Sequence, residues 1–128
     1  MSPDMSNVEF ARNNEEFAED IREDYPAQKN WIVTVQFYSF LHYVEERLKS
    51  HSYNSTNHDD RMDNIRNCPH VDTKAYKIYK SLYDTSRDAR YECMEIEESD
   101  IIECEKRLEK GKRILGFRDG STNTKYST

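Results

Sequence analysis

Residues 31–48, WIVTVQFYSFLHYVEERL, form the longest apolar run of the chain and contain neither glycine nor proline. When each residue is advanced by about 100°, Trp31, Ile32, Val33, Val35, Phe37, Tyr38, Phe40, Leu41, Tyr43 and Val44 point in nearly every direction. The run is longer than a strand of roughly 4–8 residues, so it predicts a helix rather than a strand. A helix that is apolar on all sides belongs at the centre of a bundle. The chain has three glycines and three prolines. That is too little turn chemistry for a many-stranded β fold, which needs such residues about every 8–12 positions. The expected fold is therefore all-α, an antiparallel bundle of about four to five helices.

The flanking segments carry helical periods of their own. Phe10, Asn14, Phe17, Ala18, Ile21 and Tyr25 share one side and predict a first helix over 7–23 whose other, acidic faces are wet, with Pro26 placed to open the second. The polar stretch 51–59 reads as a loop, followed by a short helix over 60–68 that Pro69 ends. Thr73 is a plausible N-cap for a fourth helix to about Met94, whose inward stripe is Ala75, Ile78, Leu82, Ser86, Ala89 and Cys93. Ser99 or Asp100 is the expected cap of a fifth, with Ile101, Cys104, Leu108 and Leu115 inward and Glu103/Arg107 and Glu109/Arg113 paired outside. Residues 1–117 are expected to form one domain and 118–128 a disordered tail. Trp31 is expected to be largely buried, because it opens the most apolar segment.

Composition excludes several functions. Three cysteines, with no C-x-x-C spacing and no apolar leader before them, predict a reduced cytoplasmic chain without a membrane anchor. With so few glycines, neither a P-loop nor a dinucleotide fingerprint can be built. The net charge of −6 argues against nonspecific nucleic-acid binding by the whole surface. The charge is uneven, however. Residues 1–30 hold eight acids against three bases, while residues 74–91 hold five bases against two acids.

That basic segment supplies the main candidate site. Tyr76, Tyr79, Tyr83, Arg87 and Arg90 fall within about 80° of one another on the fourth helix. Guanidinium groups grip phosphate in bidentate fashion and phenols stack on bases, so the edge suits a nucleotide or RNA. The structural alternative is that these side chains pack at the core boundary with their tips in water. His42, on the core helix, reads as a hydrogen-bonded interior residue or as a proton carrier facing a groove. His51, His58, Asp59, Asp60, Asp63 and His70 lack any recurring ligand spacing, so neither a metal nor another cofactor is expected. Cys68 beside His70 has no feature that would make a thiolate.

Taken together, WIVTVQFYSFLHYVEERL, NHDDRMDNI and YKIYKSLYDTSRDARY resemble the HEPN family over about residues 25–95. The carriers are Phe37, Tyr38, His42, His58, Arg61, Tyr76, Leu82, Ser86, Arg87, Arg90 and Tyr91. The resemblance implies an antiparallel helical bundle, frequent dimerisation, and a setting in toxin–antitoxin, CRISPR-associated or phage-defence systems. It also implies that many members are metal-independent endoribonucleases, in which an arginine followed after four to six residues by a histidine forms the site. No arginine here is followed by a histidine at that spacing. Activity would have to use Arg87 and Arg90 on the phosphate with His58 or His42 as proton carrier, assisted by Arg61, and with Tyr76, Tyr79, Tyr83 and Tyr91 on the ligand. A homodimer is expected, both from the resemblance and from the aromatic surplus on residues 31–44, and an antitoxin or other protein is a further candidate partner. The competing reading is a catalytically silent helical interaction module.

Overall fold

The computed structural model describes residues 6–92 and 94–117. Within them the chain forms five helices and no strand: α1 (Asn7–Asp24), α2 (Lys29–Lys49), α3 (His58–Asn67), α4 (Lys74–Tyr91) and α5 (Glu98–Ile114). The tail expected over 118–128 and the inward position expected for Cys93 lie outside the described residues.

The central place of α2 follows from its composition. Ile32, Val33, Val35, Phe37, Phe40, Tyr43, Val44 and Leu48 are all buried, because α1, α4 and α5 each pack against it. Three polar residues on this helix are buried with partners: Thr34 donates to the carbonyl of Asn30 at 2.8 Å, Ser39 to that of Ala11 at 2.8 Å, and Gln36 to that of Ile101 at 3.3 Å. Helix directions follow from which residues meet. His42 lies against Asn7, while Asn30 and Phe37 meet Ala89 and Tyr83, so α1 and α4 run antiparallel to α2. Gln36 meets Ile101 and Arg47 meets Leu115, so α5 runs alongside α2 in the same sense. The aromatic surplus of α2 is thus mostly covered within the chain, which removes one of the two grounds for expecting a dimer.

Local signals set the ends of the helices. Ser6 closes a capping box with Glu9 at the start of α1, satisfying donors that the first turn leaves open. Asn57 accepts from the Asp60 amide at 2.8 Å, so α3 begins two residues earlier than expected. Thr73 makes no side-chain cap; Asp72 instead accepts from the Lys74 amide at 2.8 Å. In α5 the cap is Glu97 and Asp100 is its capping-box partner, not the cap itself. The second helix starts at Lys29 rather than at Pro26. Of the outward pairs expected on α5, Glu103 and Arg107 meet at 3.4 Å, whereas Glu109 lies 3.5 Å from Lys112.

Two expectations about α1 and α2 are corrected. Ala11, Ala18 and Ile21 form the buried stripe of α1, while Phe10, Phe17 and Tyr25 are exposed. Small alanines let the α1 backbone come close to α2, as the Ser39 bond to Ala11 requires, and this rotates the large rings outward. Trp31 is 61% exposed rather than buried, since its side of the first turn of α2 faces an open groove beside Phe17 and Tyr25 and not α4. Its neighbour Asn30 takes the contact with α4, donating to Ala89 and Met94 carbonyls.

α5 approaches α2 through a glycine. A Cβ on Gly111 would lie 2.3 Å from Phe40 Cε1, and Phe40 is fully buried. Gly111→Ala is therefore expected to destabilise the protein by about 1–3 kcal/mol, although alanine is the better helix former. Urea unfolding followed by circular dichroism checks this; a variant as stable as the parent would show that α5 is free to shift.

Candidate functional site

The residues singled out from the sequence divide into three groups in space. Around the junction of α3 and α4, His58 lies on Tyr83, ring centroids 3.7 Å apart and planes 13° from parallel. Its Nδ1 is 3.1 Å from the Tyr79 hydroxyl. That hydroxyl also accepts from Arg61 at 3.2 Å, and Arg61 Nε donates to Glu45 Oε2 at 2.5 Å. A chain of four groups, Glu45, Arg61, Tyr79 and His58, thus links α2, α3 and α4.

The hydrogen bonds fix the protonation pattern of this chain. Tyr79 is fully buried, so its O–H needs an acceptor. Arg61 can only donate, which leaves His58 Nδ1 to accept the phenol proton. The neutral imidazole then carries its own proton on Nε2. Partial burial is the main influence holding the His58 imidazole below its ordinary pKa; Arg61 and Arg87 act in the same direction, against Asp59 and Asp84. Burial raises the Tyr79 phenol, while the Arg61 hydrogen bond and charge oppose that shift. His58 is thereby set as a neutral donor whose Nδ1 lone pair is already engaged.

Farther along α4, Arg90 is held by its own helix and by aromatic rings. It donates to the Ser86 carbonyl at 3.2 Å and hydroxyl at 3.0 Å, and to the Tyr38 and Tyr91 phenols at 3.3 and 3.4 Å. Its guanidinium carbon lies 5.7 Å from the Tyr38 ring centre and 4.9 Å from that of Tyr91, within cation–π range. Arg87 lies between this cluster and His58. It is exposed and makes no hydrogen bond or ion pair with a described residue. Lys80, by contrast, is paired with Asp84 at 2.9 Å on another face.

The remaining candidates stand apart. Tyr76 accepts from Arg66 at 3.0 Å. His42 lies 3.0 Å from Asn7 and stacks on Phe10 at 5.1 Å, on the α1 side of α2, where burial lowers its pKa. His51 and His70 stack on each other at 4.0 Å. Among the described residues no group of three or more His, Cys, Asp or Glu is placed to hold a metal ion, and no helix is long and apolar enough to cross a membrane. Cys68 and Cys104 are buried thiols, and burial pushes Cys104 up to about 11, far from thiolate reactivity at neutral pH.

Of the α4 residues that the helical wheel put on one edge, Tyr83, Arg87 and Arg90 lie along the exposed side near His58, whereas Tyr79 is fully buried and Tyr76 is turned to Arg66. Glu45 was not legible as a partner of Arg61, because the two meet only when α3 docks on α2. Tyr79 faces inward from the edge, as the structural anchor of His58. No family model, curated protein or solved structure matches this chain.

Proposed function

We propose that this chain binds single-stranded RNA, or a nucleotide of the same chemistry, along the α3–α4 edge formed by His58, Tyr83, Arg87, Arg90 and Tyr91. The observation that carries the reading is Arg87: an exposed guanidinium, without a hydrogen bond or ion pair to a described residue, set between a histidine that presents an N–H and an arginine lodged between two phenols. Arg87 and the His58 Nε2–H would donate to phosphate oxygens, and Tyr91 with the Arg90 plane would stack a base. The HEPN resemblance supports the same reading from the sequence and suggests a setting in toxin–antitoxin, CRISPR-associated or phage-defence systems.

The geometry favours binding over cleavage. A base for the 2′-hydroxyl needs a free imidazole nitrogen. Here Nδ1 is taken by Tyr79, and Nε2 carries the proton. A labelled single-stranded oligoribonucleotide incubated with the protein in EDTA is expected to stay full length.

The test compares two double variants that remove the same charge. Arg87→Ala with Arg90→Ala is expected to weaken binding of that oligoribonucleotide by about tenfold or more, the scale of the one charge-assisted hydrogen bond that Arg87 would make to phosphate. Lys77→Ala with Lys80→Ala is expected to cost only the small amount due to lost field, because Lys80 is already occupied by Asp84. Equal losses in the two variants, with one shared salt dependence, would reduce the edge to general electrostatics and end the proposal.

A further inference from the structure

The turn from α1 to α2 opens a groove of about 410 Å³ lined by aromatic rings and carboxylates, well separated in character from the basic edge. Its walls are Phe17 and Ile21 on α1, Tyr25 in the turn, and Trp31 in the first turn of α2. Phe17 is 54%, Tyr25 66% and Trp31 61% exposed, so three large rings share one wet face. Single exposed apolar residues need no explanation, but a contiguous set lining a concavity does.

Charge says what fits there. Asp20 and Asp24 line the same groove, one and two turns along the helix face that carries Phe17. Neither is ion-paired with a described residue. The nearest cation on their own helix, Arg22, is drawn away to α5, bonded to Glu98 at 2.8 Å and Glu105 at 3.1 Å. The groove thus sets two carboxylates, neither ion-paired with a described residue, beside an apolar floor. The Trp31 and Tyr25 faces also attract cations through their ring quadrupoles.

We propose that this groove is a docking site for a cationic amphipathic helix of a partner protein, with apolar side chains at helical spacing on the floor and lysine or arginine against Asp20 and Asp24. A third helix laid against a cleft between two others is an established way to bury such a stripe. The volume accommodates about two large apolar side chains, which sets the anchor as a pair one turn apart. Fixed negative charge on the rim selects against acidic helices and speeds encounter with basic ones.

Trp31 is the only tryptophan in the chain, so its fluorescence reports on the groove directly. The probe is a short synthetic helix of leucines and lysines at amphipathic spacing, compared with the same peptide carrying glutamate for lysine. The lysine peptide is expected to shift Trp31 emission to the blue in a saturable way, and the glutamate peptide to leave it unchanged. Asp20→Asn with Asp24→Asn is expected to weaken the lysine peptide by about tenfold. Asp63→Asn with Glu103→Gln removes the same charge from exposed sites elsewhere and is expected to leave affinity nearly unchanged. All four substitutions are at exposed positions, and circular dichroism checks that each variant stays helical. An equal response to both peptides, equal losses in the two double variants, or no shift at all would overturn the proposal. A blue shift that appears on raising protein concentration alone, with sedimentation showing a dimer, would overturn it in favour of a second copy of the chain.

Discussion

Lys112→Ala is expected to lower the free energy of unfolding by about 3–5 kcal/mol, the cost of breaking a buried ion pair by removing one partner. The side chain of Lys112 is 1% exposed, and its ammonium lies 2.9 Å from Glu15 and 3.5 Å from Glu109. The phenol of Tyr43 donates to the other oxygen of Glu15, and the ammonium sits 5.5 Å from the centre of the same ring. One lysine thus ties α5 to α1 and α2 at a point where Lys112 and Tyr43 are buried and Glu15 is partly buried. Removing it leaves the Glu15 carboxylate facing a cavity instead of a cation. The same logic makes a second result informative. Lys112→Met combined with Glu15→Gln removes both charges and keeps the volume, so it is expected to recover much of the loss. Urea unfolding midpoints give both values, and a loss below about 1 kcal/mol for Lys112→Ala would show that the pair is solvated and structurally minor.

Arg61→Ala is expected to cost about 3 kcal/mol, somewhat less than a fully buried pair because its side chain and that of Glu45 are still 14% and 13% exposed. It strands Glu45 and leaves the Tyr79 hydroxyl without its donor. The sequence offered Arg61 as part of a catalytic set, whereas its contacts make it the brace behind His58. The two roles predict different outcomes. As a brace, Arg61→Ala lowers stability, while the folded protein binds the oligoribonucleotide within a few-fold of the parent. As a phosphate ligand, it would lose affinity on the scale expected for Arg87 without a comparable loss of stability. Arg61→Lys keeps the charge but loses the fork that reaches Glu45 and Tyr79 together, so it is expected to fall between parent and alanine in stability.

What the sequence shows of this protein depends on how local the cause is. The core role of α2 was legible because ten apolar residues surround one helix; the period of tyrosine and arginine on α4 located a helix face, but not that Tyr79 turns into the core or that Tyr76 turns to Arg66. Trp31 was misplaced because an apolar neighbourhood in sequence says nothing of where α4 and α5 reach. Phe10 and Phe17 were misplaced because the wheel weights large rings over alanines, yet close packing at Ala11 and Ala18 decides how α1 is turned. Lys112 was unreadable as a core residue: in a basic stretch of a charged helix nothing marks one lysine as buried until Glu15 arrives from ninety-seven residues away. The same holds for Glu45 and Arg61, whose pairing depends on the docking of α3. The grouping of His58 with Tyr79 and Tyr83 likewise lies in tertiary structure.

The central claim is that phosphate binds beside His58 and Arg87, and the titration of His58 by NMR tests it most directly. In the free protein, burial and the charges of Arg61 and Arg87 hold the imidazole below its ordinary pKa. A phosphate against the Nε2–H favours the charged ring. The midpoint of His58 is therefore expected to move upward when a saturating single-stranded oligoribonucleotide is added, while that of His42, on the α1 side of α2, stays put. By linkage, affinity then rises as pH falls through the interval between the free and bound midpoints, because the complex holds the proton more tightly. A His58 midpoint that is the same with and without saturating RNA would contradict the account and place the phosphate elsewhere.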